Sequence, residues 1–275
     1  MNQDKKSFAT WVLILIVVGY ISLLILTPIL ALINGVFEGG FELLLQGLIS
    51  SALFDALGLS LLIAIAVVLL QMILGTVVAW VMVRQNFSWK FLMNGLIDIP
   101  FMMSPVVVGY MLLLLFGRNG IFFPILNSLG IQIAFALPGM LIATLFVSLP
   151  FMVREMIPAI ENLDRGQEYA AATLGASSWT GFWRIIFPQI RPALLYGMTL
   201  TLARALGEFG AVLVIGGGIQ GRTETATLYI FRCLEERQFT DAYIAAILLG
   251  VISVLTVSLA EKIKTIRKNH RTPMN

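Results

Sequence analysis

Long apolar runs separated by short polar segments dominate the pattern of hydrophobic positions along the chain. A transmembrane α-helix needs about 17–25 mostly apolar residues, and six runs satisfy that length. They cover residues 11–33, 57–83, 91–116, 137–156, 193–215 and 242–261. The first run follows Lys5 and Lys6, but it is too long for a signal peptide and lacks a small-residue cleavage site, so we predict that it is retained. The pattern predicts an all-α membrane protein with six transmembrane helices.

The basic residues of the polar segments predict how the six helices are oriented. Cytoplasmic loops of membrane proteins carry an excess of Lys and Arg. Of the 18 basic residues, 13 lie on the side that holds both termini and 4 lie on the opposite side. The remaining one, Arg204, lies within an apolar run. We therefore predict that both termini are cytoplasmic. The predicted segments are a cytoplasmic N-terminus (1–10), a first span with an extracytoplasmic segment (11–52), a transmembrane domain (53–261) and a basic cytoplasmic tail (262–275).

The segment 157–191, on the predicted cytoplasmic side, is too long to be a simple connection. Asp164, with Gln167 three residues later, has the pattern of a capping box, and Gly175 is placed to end the helix that begins there. An apolar stripe at i, i+3, i+4 and i+7 predicts a second helix, which Pro188 is expected to end. The stripe consists of Trp179, Phe182, Trp183 and Ile186. An amphipathic helix at the membrane interface would explain this stripe equally well.

The fifth apolar run contains two charged residues, Arg204 and Glu208, four positions apart. A charge that faces lipid at the bilayer centre costs about 2.5–3.5 kcal/mol, so both side chains should face the protein or a water-filled path and pair with each other. The pair either locks this helix against a neighbour or lines the path, with Arg204 presenting positive charge and Glu208 holding it. Asp98 and Ser104, beside the two prolines of the third run, indicate a broken helix that either borders a cavity or only packs.

Composition excludes several classes of protein. Hydrophobic residues make up 59% of the 275 positions and charged residues 12%, against roughly 25% charged in a soluble domain. The net charge of +3 is small, which argues against a nucleic-acid-binding protein. With Cys233 and His270 as its only cysteine and histidine, the chain can form no internal disulfide, no Ser/His/Asp set and no histidine-based metal site. It has no G-x-x-x-x-G-K-[ST] loop, so any ATP is hydrolysed by another chain.

The long cytoplasmic segment resembles the coupling loop of bacterial ABC importer permeases, which follows the pattern E-A-A-x3-G-x9-I-x-L-P. The residues in register with that pattern are Ala170, Ala171, Gly175, Ile185 and Pro188. Two positions differ, since Tyr169 and Phe187 replace the usual glutamate and leucine, and Glu168 lies one residue before the usual glutamate. The resemblance implies the type I ABC importer permease fold and a loop, including Glu168 and Tyr169, that docks on an ATPase.

Three further stretches are distinctive, namely LIDIPFMMSPVVVG, ARALGEFGAV and IQGRTETATLYI. They resemble permeases of sulfate/thiosulfate importers, most of all the second of the two permeases that these importers pair. The resemblance implies a non-enzymatic subunit of the bacterial inner membrane that pairs with a second permease and docks two ATPase subunits, which use ATP and Mg²⁺. An extracytoplasmic binding protein would deliver the anion. This chain itself would bind membrane lipid but no cofactor, metal or nucleic acid.

Other interpretations of the sequence stay open at this point. Arg222, Thr223 and Glu224 either contact the binding protein or form a solvated turn. The segment ARALGEFGA is also similar to molybdate and tungstate permeases, so the anion is not fixed. An intramembrane enzyme that uses Asp98 and Glu208 as an acid pair, or a stand-alone channel, would leave the coupling loop unexplained.

Overall fold

The computed structural model describes residues 8–38 and 40–269, and all regular secondary structure in these residues is helical. The helices are α1 (Phe8–Glu38), α2 (Phe41–Leu48), α3 (Ser51–Arg84), α4 (Lys90–Met102), α5 (Pro105–Phe116), α6 (Phe123–Ser128), α7 (Leu137–Glu161), α8 (Arg165–Thr173), α9 (Ser178–Gly181), α10 (Phe187–Leu206), α11 (Gly210–Gly216), α12 (Ala226–Glu235) and α13 (Phe239–Asn269). Parts of the predicted N-terminal and C-terminal segments, residues 1–7 and 270–275, lie outside the described residues.

The long helices correspond to the six predicted hydrophobic segments. Four of them, α1, α3, α7 and α13, are long and apolar enough to span a bilayer alone, and the bent pairs α4–α5 and α10–α11 each reach that length together. The predicted all-α fold is thus confirmed, while the cytoplasmic orientation of the termini stays a prediction. The fifth span, predicted at 193–215, is interrupted in the structure, because α10 ends at Leu206 and α11 begins at Gly210 after a bend of 59°.

Pro188 does not end the amphipathic helix that follows Gly175, contrary to the prediction. A π-helical turn (Phe182–Ile186) precedes this proline and directs the N–H of Phe187 to the carbonyl of Phe182, one residue further back than in an α-helix. Pro188 then lies in the first turn of α10, where a missing N–H and a fixed φ are tolerated. The helix therefore continues through the proline and connects the cytoplasmic segment directly to the fifth span.

The helices α3, α7 and α10 pack side by side and form the core. Glycines permit their close approach, since a Cβ atom at Gly75 or Gly197 would lie 2.5 Å or 2.8 Å from the side chain of Met152 on α7. Gln71 of α3 is buried in the same interface and donates from Nε2 to the carbonyl of Leu145 at 2.7 Å. The two bent pairs attach to this three-helix core.

The two halves of the bent pair α4–α5 pack against different parts of α7, with a bend of 112° between them. Ile97 of α4 shares a buried cluster with Val153 near the C-terminal end of α7. Val108 of α5 shares another cluster with Ala143 near the N-terminal end, and Ala211 of α11 belongs to the same cluster. The second halves of both bent pairs, α5 and α11, therefore pack near the N-terminal part of α7, which is predicted to face the extracytoplasmic side.

A peripheral cluster joins α1, α2, α12, α13 and the start of α3. The helix α1 attaches through its C-terminal end, where Val36 is buried and Gly35 lies against Tyr243 of α13. The apolar side chains of α1 from Trp11 to Leu30 are exposed. Such a continuous apolar surface is expected of a helix that faces lipid or another membrane protein.

Candidate functional site

The fifth span is interrupted at residues 207–209, and the predicted charged pair lies at this interruption. The N–H of Glu208 bonds to the carbonyl of Ala205 at 3.2 Å as α10 ends, and α11 starts at Gly210. Glycines on both sides of the acid permit the change of direction. Glu208 therefore links two helices and is not part of one continuous helix.

Glu208 is 3% exposed, and its two carboxylate oxygens bind groups on opposite sides of the interruption. Oε2 lies 2.7 Å from Nη2 of Arg204 on α10, and Oε1 accepts from the N–H of Ala211 on α11 at 3.0 Å. The hydroxyl of Thr227, on α12, donates to the Glu208 carbonyl at 2.7 Å. The predicted pairing of Arg204 with Glu208 is confirmed, and the acid also caps α11.

Arg204 is the more accessible member of the pair, with 25% of its side chain exposed. A carboxylate only accepts hydrogen bonds, and both oxygens of Glu208 already face partners within the chain, whereas a guanidinium carries five N–H donors. An anion that reaches this point would therefore meet the cation first. Of the two charged side chains, Arg204 is thus the one with accessible surface, and Glu208 is enclosed by its partners.

The interruption between α4 and α5 lies against the one in the fifth span. A Cβ atom at Gly210 would lie 3.2 Å from Cβ of Pro105, the first residue of α5. One turn further, a Cβ atom at Gly109 would lie 2.6 Å from the carbonyl oxygen of Ala211. Such close backbone contact needs glycine. Because the starts of α5 and α11 are in contact and the next turns are in contact as well, the two helices pack as a parallel pair. Ser104, directly before α5, is exposed there.

Asp98 lies on α4 and pairs with Arg154 of α7. Arg154 donates from Nε to Oδ1 at 2.9 Å, its Nη2 also contacts Oδ2, and the same nitrogen donates to the carbonyl of Asn94 at 3.3 Å. Both charged side chains are about one third exposed. Within the described residues Asp98 belongs to its own ion pair at the predicted cytoplasmic end of α7. This arrangement supports the packing interpretation of Asp98.

Two of the three predicted extracytoplasmic contact residues are buried. The hydroxyl of Thr223 donates to the carbonyl of Gly216 at 2.7 Å, and its side chain is inaccessible. Glu224 is also buried and accepts from Nε of Arg232 on α12 at 2.6 Å. This hydrogen bond raises the pKa of Arg232 above its ordinary value, so the pair stays charged. Thr223 and Glu224 therefore do not form the solvated turn that was one of the two interpretations, and neither side chain is accessible for the other, a contact to the binding protein, in this structure.

Arg222 is the exposed residue of that set. Its Nη2 donates to Oε1 of Gln132 at 3.3 Å, in the segment between α6 and α7. Arg222 thus lies at the predicted outer surface, where it is accessible to another protein.

The predicted coupling segment forms α8, α9 and the turn between them. Asp164 caps α8 by accepting from the N–H of Gly166 at 2.8 Å, as predicted. Gln167 does not complete the capping box, because its side chain accepts from Nε2 of Gln189 at 3.1 Å instead. Gly175 ends the segment after α8 with a φ of +81°, the left-handed conformation that favours glycine.

The surface of α8 is accessible along its whole length, since none of its side chains is buried. Tyr169 is 67% exposed, and Leu174, the residue after the helix, is 88% exposed. Ala170 and Gly175 are also exposed, and Ala171 is half-buried. The two remaining motif residues, Ile185 and Pro188, are half-buried in the π-helical turn and in α10. The exposed side chains of Tyr169 and Leu174 are therefore accessible to another protein.

Residues 71–264 match the family model of the binding-protein-dependent transport system inner membrane component. The chain belongs to this family. The sulfate transport system permease protein CysW of Synechococcus elongatus is 43% identical to this permease, over 94% of this chain and 90% of its own. The protein of the same name from Escherichia coli K12 is 38% identical, over 92% and 87% of the two chains.

A solved structure shows the same fold as this permease. It is a chain of a bacterial alginate ABC transporter in complex with an alginate pentasaccharide-bound periplasmic protein, with a TM-score of 0.79, 17% identity and 98% coverage of both chains. At this identity the likeness concerns the fold alone. It confirms the predicted type I ABC importer permease fold.

Three residues that shape the candidate sites of this permease were not predicted from the sequence: Arg84, Arg232 and Thr227. Arg84 pairs with Glu168, and Arg232 pairs with Glu224. The hydroxyl of Thr227 donates to the carbonyl of Glu208, where the fifth span is interrupted. In the sequence alone, both arginines are basic residues that count only toward the orientation of the spans. The position of Arg84 directly after an apolar run was the one available signal, because its partner lies 84 residues further along the chain.

Proposed function

We propose that this permease is a non-catalytic subunit of an ATP-driven importer for sulfate and thiosulfate. The observation that carries the proposal is the 38–43% identity, over at least 92% of this chain, to permeases named for sulfate transport. Molybdate and tungstate lose support as substrates because these relatives are named for sulfate. An acid-pair enzyme also loses support, since Asp98 and Glu208 each bind a different arginine.

Arg204 is the group that we assign to the sulfate path, with Glu208 positioning it and Ser104 exposed at the neighbouring break. Two unit charges 4 Å apart interact by about 4 kcal/mol at an effective dielectric constant of 20, so a single arginine lowers the barrier to a dianion appreciably. The anion must also leave again, which requires a weak site. Glu208 keeps the site weak because it already neutralises part of the positive charge.

The exposed surface of α8 supports a docking site for an ATPase subunit. Tyr169, Leu174 and Gly175 would contact the ATPase, and closure of two such subunits around ATP and Mg²⁺ would move α8. A second permease would complete the path, and a binding protein would deliver sulfate at the outer surface near Arg222. This chain would bind no cofactor of its own.

Loss and rescue of sulfate uptake in cells tests the proposed function. Deletion of the gene for this chain is expected to lower uptake of radiolabelled sulfate, and expression of the chain from a plasmid is expected to restore it. Thiosulfate in excess should compete, and molybdate should compete little. Restored molybdate uptake without restored sulfate uptake would assign the permease to the other anion.

Tags at both termini are expected to be cytoplasmic in the inner membrane, because of the asymmetry in basic residues. Protease added to the periplasmic side of spheroplasts should leave a C-terminal tag intact. A matched chain with the same tag inserted in the 117–122 turn, which is predicted to be extracytoplasmic, should lose it. Digestion of the C-terminal tag in sealed spheroplasts would contradict the predicted orientation.

A further inference from the structure

We propose that the ion pair between Arg84 and Glu168 transmits movements of α8 to α3, and that Glu168 is a positioning residue within this chain and not a contact to the ATPase. The inference rests on the proposed function, in which an ATPase moves α8. Glu168 lies one residue before Tyr169, which occupies the position of the glutamate in the family pattern.

Arg84 is held firmly at the end of α3. It is the last residue of that helix, only 11% of its side chain is exposed, and its Nη2 contacts Oε1 of Glu168. The ring of Trp80, one turn earlier on α3, lies 5.0 Å from the guanidinium carbon. The Nε of Arg84 is buried and has no hydrogen-bond partner in the described residues. Glu168 is therefore the acid that compensates this charge, and removing it would leave a buried cation without one.

The ion pair matters because α8 has little other support from the membrane helices. No side chain of α8 is buried, and a pocket of about 350 Å³ lies between this helix, Trp80 of α3 and the segment that leads into α10. The second polar link is the hydrogen bond from Gln189 on α10 to Gln167. Because the pocket leaves apolar packing beneath α8 incomplete, a displacement of α8 is transmitted to the spans through two polar contacts. These are the Arg84–Glu168 ion pair and the Gln189–Gln167 hydrogen bond.

The helix α3 extends from this ion pair to the opposite side of the molecule. Along its length Gln71 is bonded to α7, and near its outer end Ser60 accepts from the N–H of Ala226 at 2.8 Å, at the start of α12. A displacement applied at Arg84 is thus applied to the core and, through Ser60, to the outer segment. Tyr169, which is 67% exposed, occupies the surface where an ATPase contact is expected.

Separate replacements Arg84→Ala and Glu168→Ala test this inference in the complete complex, reconstituted with its ATPases and binding protein. Each is expected to retain basal ATP hydrolysis but to lower sulfate uptake per ATP hydrolysed by about tenfold, within the 5–150-fold range typical of coupling between sites. Glu161→Gln is the matched control, because it removes an exposed acid at the end of α7, and its ratio should equal that of the original chain.

The charge exchange Arg84→Glu with Glu168→Arg separates a link inside the chain from a contact to the ATPase. Recovery of uptake per ATP in the exchanged chain supports the link, since a contact to the ATPase would not be rescued by a change at Arg84. The inference would be overturned if uptake per ATP fell in both single variants and did not recover in the exchanged chain. It would also be overturned if the single variants kept the uptake per ATP of the original chain.

Two milder variants cover the case in which the alanine variants do not assemble. Arg84→Gln and Glu168→Gln each remove one charge of the pair but keep a polar side chain, and the same ratio is measured, with a fall expected in both and an unchanged ratio overturning the inference. A complex with the original chain that transports no sulfate would instead refute the proposed function, so the two failures are distinguishable.

Discussion

Neutralising both charges of the fifth span, with Arg204→Gln and Glu208→Gln in one chain, is expected to preserve the complex but to lower sulfate uptake by about tenfold. A tenfold loss corresponds to a rise of about 1.4 kcal/mol in the transport barrier. The amide that replaces Glu208 still offers an oxygen to the N–H of Ala211, so the cap of α11 survives. No buried charge is left unpaired. What the double variant lacks is the positive charge that we assign to the path.

Removal of the acid alone, with Glu208→Ala, is expected to fail earlier, at assembly. Glu208→Ala leaves Arg204 without its acid and the N–H of Ala211 without its acceptor. Removing one partner of a buried pair costs about 3–5 kcal/mol, a large part of a protein's stability. Exchange of the two charges should not restore assembly either, because an arginine at position 208 cannot accept from Ala211.

Complex yield and uptake per complex are the two quantities to compare for these variants. Arg204→Lys serves as the control, since it keeps a positive charge and the contact to Glu208, and it should retain more uptake than the neutral double variant. Full uptake by an assembled neutral double variant would reduce the pair to a structural lock and remove Arg204 from the path.

Gly175→Asp is expected to leave the amount of complex nearly unchanged while strongly lowering transport and the ATP hydrolysis that transport stimulates. No heavy atom lies within 4 Å of a Cβ built at this position, so the side chain meets nothing within the chain. The φ of +81° adds strain of about 1–2 kcal/mol, and aspartate is one of the residues that tolerate this conformation. The new carboxylate instead projects into the surface where the ATPase is proposed to dock.

Gly175→Asn separates the charge from the strain and the added bulk, because asparagine has nearly the same shape and tolerates the same φ. Transport by this variant should lie between that of the original chain and that of Gly175→Asp. Measuring uptake and ATP hydrolysis in purified complexes of equal composition decides the matter. Normal coupling in the Gly175→Asp complex would show that this turn is not part of the ATPase contact.

The elements that the sequence predicted well depend on local physics. Each apolar run is long enough to identify a span without knowledge of its neighbours. Asp164 marks the start of α8 because it caps the helix, and Gly175 marks the end of that segment because it adopts a positive φ. The Ser104–Pro105 pair marks the start of α5. Arg204 and Glu208 pair because four residues of helix bring them together.

The elements that the sequence did not predict depend on distant partners. The break after Leu206 lies inside an apolar run, and its glycines are equally compatible with close helix packing. Burial of Glu224 depends on Arg232 in the next helix, so a polar stretch that resembles an exposed turn is instead part of the interior. The position of Glu168 depends in the same way on Arg84, far away in the sequence.

Uptake by a purified complex in proteoliposomes tests the central claim most directly. The complex of this permease, a second permease and two ATPases is reconstituted with ATP and Mg²⁺ inside the vesicles, and the binding protein with radiolabelled sulfate is added outside. We predict sulfate accumulation that requires both ATP and the binding protein and that resists an excess of molybdate. Accumulation of molybdate in place of sulfate, or no accumulation by an assembled and ATP-hydrolysing complex, would contradict the account.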